Sequence, residues 1–533
     1  MKAIKNIMIA LSGIALLASC DMDKFFELDR PESNPWLSVD DLEYSVADPY
    51  NTLFQNPNWQ APIGIIPYYQ ELVADLSTVN PQGAYEQEAL YWYPRQMSTF
   101  DVTGQQFEKT FSILYRSVTG ATSPLTYIEE KEKKGEPVFA NMTENDKKTL
   151  ARQTGELYFM RGYTYWLISR AFVAPYDPAG GEGNNRKFIP LINRLDYSQE
   201  SARNPYMGTV KEVYDQMLSD FAKAKSLMPE DYFVRGRANK FSAAMMLMRV
   251  KWLMGDKDGA LEEADYVITK AEAGVAPFDL TEEPIVAFNR NAEQQYTVDP
   301  VSKEVMFECA FTESNQGNNV AIPLARMCKT GIYNFKSKTF DASNKLWLEG
   351  ARGSQNWQHG GWACAYWNPR LIKYIGWAVT DDPMDLTNYV PSAEALADKR
   401  FTQLHYFLKN YTDGGDKTIH EMAYNKTKWN AFWNDKYYRA PYGKYSQVPL
   451  IRLAEAYLTR ATLVLSKNAS QALGDVNKIR QRAGLTPLKN VTEADIEKER
   501  IKEFGFENGD RLLYLVAMQK TIDRSEEHTS ELQ

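Results

Sequence analysis

Residues 241–273, FSAAMMLMRVKWLMGDKDGALEEADYVITKAEA, contain one complete helical hairpin. Large apolar side chains recur at helical spacing from Phe241 to Trp252, which places them on one face of an α-helix, and that face must be buried. The segment GDKDG at 255–259 breaks this helix. A second helix then starts at Ala260, and its small residues allow a close approach to the first helix.

This hairpin resembles a tetratricopeptide repeat, in which units of this length stack on their neighbours. Because one hairpin cannot bury its apolar face alone, further hairpins are expected. Helical periodicity with capping and terminating residues predicts more helices at 38–53, 105–133, 145–172, 209–228, 448–465 and 469–483. Two long stretches, about 56–100 and 278–446, lack this period. The predicted fold is all-α dominated, a scaffold of tetratricopeptide-like helical hairpins with long irregular loop insertions.

The composition indicates a globular protein with an acidic surface. Of 533 residues, 44% are hydrophobic and 24% are charged, which is near the usual share for folded domains. The net charge of −8 argues against a nucleic-acid partner, since no basic surface is available to displace phosphate counterions. Neutral or cationic ligands are favoured.

The N-terminus reads as an export signal. Lys2 and Lys5 precede an apolar run at 7–17, which is too short to span a bilayer. The sequence LASC, ending at Cys20, resembles a bacterial lipobox, so residues 1–19 are predicted to be a lipoprotein signal peptide. The resemblance implies that Cys20 is lipidated and that several acyl chains anchor the mature chain stably. The alternative is an ordinary cleaved signal with a chance cysteine.

Signatures of catalysis or of metal binding are absent from the sequence. The three cysteines after Cys20 are Cys309, Cys328 and Cys364, which permit at most one disulfide and have no zinc-binding CxxC spacing. There is no Walker A loop, no G-x-G-x-x-G turn and no G-x-S-x-G elbow. We therefore expect no metal, no cofactor and no enzymatic activity. A helical glycoside hydrolase stays open as a rival, since it needs only two suitably spaced carboxylates.

Aromatic clusters in the two insertions are the candidate ligand platform. Five of the 12 tryptophans fall within 347–377, among glycines and polar residues rather than at helical spacing. Flat aromatic rings flanked by amides and charged groups suit sugar rings. A third cluster lies at 429–438. The predicted ligand-binding residues are Trp92, Tyr93 and Arg95 in the first insertion and Asn356, Trp357, Trp362 and Trp367 in the second. The alternative is that these aromatics fill small cores within the loops.

Several blocks, taken in order, resemble the SusD/RagB family. They are GELYFMRGYTYWLISRAF (155–172), FIPLI (188–192), TVKEVYDQMLSDFAKAKSLMP (209–229), GRANKFSAAMMLMRVKWLMGD (236–256), EVMFECAF (304–311), VPLIRLAEAYLTRA (448–461) and VNKIRQRAGL (476–485). The resemblance covers about 21–523, so residues 20–523 are predicted to form a single SusD-like domain. Residues 524–533, RSEEHTSELQ, resemble the translation of a sequencing adapter, and we expect the natural reading frame to break near Asp523.

The resemblance implies a lipoprotein of the Bacteroidetes outer membrane that is built on tetratricopeptide-like helix pairs. Such a protein faces the cell exterior, binds glycans or, in some members, peptides, and caps a TonB-dependent transporter of the SusC type. We therefore expect a glycan-binding protein without catalysis. The alternatives are a peptide-binding member of the family and, from another class, a helical glycoside hydrolase.

Overall fold

The computed structural model describes residues 36–54, 62–79, 105–196, 198–288, 302–309, 365–379, 391–408, 412–413, 417–418, 431–434, 436 and 448–522. The predicted signal peptide, Cys20 and residues 524–533 lie outside the described residues.

Helices dominate the described chain. They are α1 (Val39–Phe54), α2 (Pro62–Val73), α3 (Gln105–Lys134), α4 (Glu144–Phe172), α5 (Gln199–Arg203), α6 (Val210–Leu227), α7 (Lys240–Leu253), α8 (Lys257–Glu272), α9 (Pro369–Tyr374), α10 (Ala393–Ala397), α11 (Lys399–Leu404), α12 (Leu453–Val464), α13 (Ala469–Arg482), α14 (Glu493–Phe504) and α15 (Asp510–Ala517). Two 3-10 turns cover Glu182–Asn185 and Pro284–Phe288.

The strands are short and pair in twos within the described residues. They are β1 (Ser77–Val79), β2 (Lys187–Pro190), β3 (Met207–Thr209), β4 (Val305–Cys309), β5 (Ala365–Trp367), β6 (His405–Leu408), β7 (Thr412–Asp413), β8 (Lys417–Thr418), β9 (Ala431–Asn434) and β10 (Val448–Arg452). All pairs are antiparallel: β1 with β5, β2 with β3, β4 with β10, β6 with β9 and β7 with β8.

Helices that follow one another in the chain pack against each other. Contacts join α1 to α3, α3 to α4, α4 to α6, α6 to α7, and α7 to α8. The series then continues from α8 to α12 and from α12 to α13, across the second insertion. An insertion of this kind leaves the packing of the hairpins intact, because each hairpin buries its apolar face only against adjacent hairpins. The helix-dominated fold is thus confirmed, whereas the tetratricopeptide-like character of the hairpins stays a prediction.

The predicted hairpin at 241–273 is confirmed as α7 and α8. Asn239 begins α7, because its side chain accepts hydrogen bonds from the N–H groups of Phe241 (3.0 Å) and Ser242 (2.9 Å). Gly255 follows the helix in the left-handed region at φ 82°. The carboxylate of Asp256 then accepts from the N–H of Gly259 (2.9 Å) and begins α8.

Helix α7 is buried on all sides, which exceeds the single buried face that the sequence predicted. The predicted residues are buried, but so are those between them, such as Ala244 and Met246. The reason is that α7 contacts α6, α8, α15 and β4 together. Its one buried cation, Arg249, donates to both carboxylate oxygens of Glu455 (2.7 and 2.6 Å), so an ion pair ties α7 to α12.

Two sequence predictions were wrong in detail. Within the first insertion, residues 62–73 form helix α2 instead of an irregular loop. Helix α2 was missed because Pro67 lies inside it and because its apolar residues occur on every face, so no 3.6-residue period is visible. The predicted helix at 448–465 begins only at Leu453, since the five residues before it form β10 and pair with β4.

Helix α2 and the strand pair β4–β10 both enter the core. Cys309 in β4 is a buried free thiol. Within the described part of the chain, no helix is both long enough and apolar enough to cross a membrane.

Candidate ligand-binding site

The strand pair β1–β5 joins one segment inside the first predicted insertion to one segment inside the second. Ser77 lies opposite Trp367, and Val79 lies opposite Ala365. Because the strands are antiparallel, the chain leaves β1 toward residues 80–104 at the same end at which residues 310–364 enter β5. We call Asp75–Val79 the first root and Ala365–Asn368 the second root.

A backbone connection fixes the opposite end of this strand pair. The N–H of Asn368 donates to the carbonyl of Leu76 (2.9 Å), and its side-chain amide donates to the carbonyl of Asp75 (3.0 Å). The side-chain oxygen of Asn368 also accepts from the N–H of Arg370 (3.0 Å) and begins α9, with Pro369 at the first helical position. Asn368 therefore joins the two roots and starts the next helix.

Most of the predicted ligand-binding residues lie outside the described residues. These are Trp92, Tyr93, Arg95, Asn356, Trp357 and Trp362. Their role stays a prediction, and the structure supplies only the roots from which their segments leave.

Trp367 is the exception, and the structure does not support it as part of the platform. Its side chain is fully buried at 0% exposure. Its ring centroid lies 5.6 Å from that of Trp377, 5.3 Å from that of His405 and 5.4 Å from that of Phe506. Trp367 therefore packs in the main hydrophobic core and offers no open face to a sugar.

The third aromatic cluster is connected to the same region. It includes β9, which pairs with β6 so that Asn434 lies opposite His405, and β9 contacts β5. Lys436 follows β9 and is buried at 2% exposure. We call Ala431–Lys436 the third root. Residues 429, 437 and 438 of this cluster lie outside the described residues.

A network of buried charges surrounds the roots, and the sequence analysis did not predict it. The guanidinium of Arg452 donates to Glu503 (2.9 Å) and Glu507 (2.9 and 3.0 Å) and also pairs with Glu304. Arg482 pairs with Glu304 and Glu503 as well. Burial alone raises the pKa of Glu503, but the surrounding arginines outweigh burial and hold that pKa well below its usual range. Ion pairs therefore join Arg452 and Arg482 to the same acidic side chains, while Nε of Arg482 and Oε2 of Glu503 have no hydrogen-bond partner among the described residues.

The sequence feature that could have indicated this network is the dense run of charged residues in α14, EADIEKERIKEF. An amphipathic helix normally buries apolar residues, yet Glu499, Arg500, Lys502 and Glu503 are all buried here. Burial of so many charges is tolerated only where partners come from other segments. Those partners are distant in the sequence, so the local pattern of α14 gives no sign that its charges are buried.

Glu43 and Glu156 form a pair of carboxylates whose pKa values shift in opposite directions, as those of a glycosidase pair do. Burial raises the pKa of Glu156, whereas hydrogen bonds from Arg152 and Gln153 outweigh burial and lower the pKa of Glu43. Both carboxylates are, however, held by the same arginines, Arg152 and Arg237. The pair ties α1 to α4, and all four of its carboxylate oxygens already accept hydrogen bonds or ion pairs.

Other chemistry is limited in the described part of the chain. No group of three or more His, Cys, Asp or Glu side chains there could hold a metal ion. Burial and the nearby charge of Lys436 lower the pKa of His405 well below 6.5, so this histidine is neutral. An open cleft of about 360 Å³ is lined by Asp75, Tyr374 and Arg511, but Arg511 is already paired with Asp75 and Glu497.

Comparison with known families places these features in context. Residues 57–251 match a family model described as "Starch-binding associating with outer membrane", and residues 303–511 match the model of the SusD family. The chain belongs to the SusD/RagB family. Family membership confirms the resemblance stated from the sequence blocks. The description of the first model associates its family with starch binding and with the outer membrane.

Individual relatives of this SusD/RagB protein are distant. The SusD-like protein P2 of Formosa agariphila is 25% identical over 373 residues, which cover 68% of this chain and 62% of that relative. A SusD-like carbohydrate-binding protein of Bacteroides vulgatus has a TM-score of 0.63 at 15% identity, covering 91% of this chain and 85% of its own. Surface glycan-binding protein A of Bacteroides uniformis has a TM-score of 0.60 at 17% identity, covering 90% and 88%. At such identities the structural likeness establishes the fold.

Proposed function

We propose that this SusD/RagB protein is a cell-surface lipoprotein that captures oligosaccharide or polysaccharide and passes it to a TonB-dependent transporter of the SusC type. Cys20 anchors it to the outer membrane, with the folded part facing the cell exterior. It binds glycan and catalyses no reaction. No metal and no cofactor take part.

The observation that carries the proposal is the pairing of β1 with β5. Two aromatic clusters that are far apart in sequence belong to segments that leave one strand pair at one end. Trp362 precedes Ala365 by three residues, and an extended chain spans at most about 3.6 Å per residue. Trp362 is accordingly the leading platform residue, and Trp92 is its proposed counterpart.

The proposed binding chemistry is stacking and hydrogen bonding. The rings of Trp92, Tyr93, Trp357 and Trp362 would stack on pyranose faces, while Arg95 and Asn356 would bond the hydroxyl groups. Contacts of this kind do not depend on net charge or on a metal. Binding should therefore respond little to salt or to a chelator.

The comparisons support a glycan as the ligand class. One family model is described as starch-binding, and the similar structures include proteins named as carbohydrate-binding and glycan-binding. These names describe the relatives.

Native affinity electrophoresis tests the proposal. The protein is run through gels that contain amylopectin, xylan, galactomannan or laminarin, and retardation by at least one of them is expected. Trp362→Ala and Trp92→Ala should abolish the retardation. Tyr44→Ala is the matched control, since Tyr44 is an aromatic residue on α1 with 83% exposure and no place in the platform. Tyr44→Ala should migrate as the wild type does.

Three outcomes would contradict the proposal in different ways. Absence of retardation in every gel would favour a peptide ligand, the other ligand class of the family. Equal loss of retardation in the Tyr44 variant would show that the tryptophan effect is not specific. Release of new reducing ends from a retarding polysaccharide, lost on replacing a carboxylate, would favour a glycoside hydrolase.

A further inference from the structure

The segment Glu503–Arg511, which covers the end of α14, the turn after it and the start of α15, has an unusual backbone. Phe506, Asn508 and Gly509 all lie in the left-handed region, at φ 63°, 54° and 66°. For residues other than glycine this conformation costs free energy and persists only where surrounding contacts enforce it. We call this segment the C-terminal turn, and its contacts reach all three roots.

Contacts with the first root come through a charged pair and a backbone amide. The guanidinium of Arg511 donates to both carboxylate oxygens of Asp75 (2.6 and 2.7 Å), and its third nitrogen donates to Glu497 (2.6 Å). The N–H of Gly509 donates to Glu71 (3.2 Å) at the end of α2, just before the first root. A bidentate arginine fixes both distance and angle, so Asp75 is held in one orientation.

Contact with the second root is steric. A Cβ atom on Gly505 would lie only 2.4 Å from Cη2 of Trp367, so the turn backbone rests directly on this indole. The ring of Phe506 lies 5.4 Å from that of Trp367. Trp367 is the last residue of β5 and cannot move without moving the second root.

Contact with the third root comes through a buried ammonium. Lys436 donates to the carbonyl oxygens of Glu503 (2.7 Å) and Gly505 (2.8 Å) and to the carboxylate of Glu507 (2.7 Å). The two carbonyls belong to the end of α14, where the helix dipole favours a cation. All three hydrogen bonds of the ammonium are therefore made to the C-terminal turn.

We propose that the C-terminal turn is a positioning element, which sets the relative placement of the three roots and so pre-organises the ligand platform. Its residues do not themselves contact the ligand. The proposal rests on the proposed function, and it adds that affinity depends on a buried segment more than 100 residues away in the sequence from Trp362 and Trp92. Pre-organisation of this kind lowers the ordering cost of binding.

Gly505→Ala is the most direct test. Gly505 has φ −53° and ψ 129°, which alanine adopts without strain, so the substitution acts through close contacts of its Cβ, chiefly with Trp367 and also with the carbonyl oxygen of Ile501 (2.9 Å). The matched control is Gly155→Ala in α4, where the new Cβ would lie 2.7 Å from Cγ of Met228 in the α4–α6 region. Both variants crowd a buried side chain, but only the first one touches a root.

Two measurements are made on the full chain in detergent. The first is affinity for amylopectin, xylan, galactomannan and laminarin in the gel assay. The second is the rate of disulfide formation between Val79→Cys and Ala365→Cys, in a background with Cys328→Ser and Cys364→Ser. Directly opposite residues of an antiparallel pair have Cα atoms about 4.5–5.5 Å apart, which is within the range of a disulfide. This rate reports the register of the first and second roots.

Gly505→Ala should weaken retardation about three- to tenfold and slow the disulfide, whereas Gly155→Ala should change neither. Wild-type affinity and wild-type disulfide rate in Gly505→Ala would overturn the proposal, as would equal losses in both variants. If Gly505→Ala does not fold, Arg511→Lys replaces it, because a lysine keeps the charge but cannot hold Asp75 bidentately. If no polysaccharide retards the wild type, the proposed function fails, and the disulfide rates still decide whether the turn positions the roots.

Discussion

Replacing Glu71 by glutamine should change how the unfolding free energy depends on pH, because it removes one group that titrates differently in the folded and unfolded states. Glu71 is fully buried, and one of its oxygens accepts from the N–H of Gly509 (3.2 Å). Burial raises its pKa well above 4.5, and the nearby Asp510 and Glu507 add to that rise, whereas Lys436 and the Gly509 amide act against it. The folded protein therefore keeps a proton on Glu71 at pH values where the unfolded chain has lost it.

The unfolding free energy falls with rising pH wherever the folded protein binds more protons than the unfolded chain. A raised pKa contributes stability that is fully present below about pH 4.5 and is lost as the pH rises through the folded-state pKa. In that window the loss is about 1.4 kcal/mol of unfolding free energy per pH unit. Glutamine cannot ionise and resembles the neutral acid in shape. Relative to the wild type, Glu71→Gln should therefore gain about 1.4 kcal/mol per pH unit from pH 5 upward until Glu71 ionises.

Urea unfolding of both proteins at pH 5, 6, 7 and 8 measures this difference. Because all other titrating groups are shared, the difference between the two unfolding free energies isolates Glu71. A difference that stays constant from pH 5 to pH 8 would refute the reasoning, since Glu71 would then titrate alike in the folded and unfolded states.

Three further predictions concern the same core. In Glu499→Gln the unfolding free energy should depend on pH in the opposite sense, because burial raises the pKa of Glu499 but Arg400 and neighbouring cations outweigh burial and lower it to about 2. The variant should be less stable than the wild type at pH 7, and this deficit should shrink as the pH falls from 4.5 toward 2. Urea unfolding measures it, and a deficit that does not change with pH would count against the prediction. Lys436→Met removes an ammonium that makes three buried hydrogen bonds, so it should lower the unfolding free energy by about 3–5 kcal/mol and speed amide hydrogen exchange at 503–507. Unchanged exchange at these residues would show that Lys436 does not hold the C-terminal turn. Asn239→Ala removes the N-cap of α7 and a hydrogen bond to the carbonyl of Met306 (2.8 Å), so it should lower the unfolding free energy measured in denaturant by about 2–3 kcal/mol. Asn239→Asp retains the cap and should lower the unfolding free energy less.

The sequence indicated which segments contain the candidate site, but not which residues of those segments contact a ligand. The unusual density of tryptophan at 347–377 pointed to the second insertion, but it could not separate platform residues from core residues. Trp367 illustrates this limit: its polar and glycine-rich surroundings suggested exposure, yet Phe506 and His405 bury it. Both of these neighbours are distant in sequence, so no local pattern could have revealed the contact.

The sequence by itself determined the helical scaffold, because periodicity and capping are local properties. A helix such as α7 begins at Asn239 and ends at Gly255 for reasons that lie within a few residues of each end. The order of the family blocks is likewise a property of the sequence alone. These features needed no knowledge of which segments meet.

The tertiary structure alone decided how the roots are arranged and what holds them. Strand β10 forms because β4, more than 100 residues earlier, supplies its hydrogen-bonding partner. The charges of α14 are buried because Arg400, Arg452 and Arg482 arrive from three other segments. Long-range pairing of this kind depends on the assembled fold, since each buried charge is stable only when its partner is present.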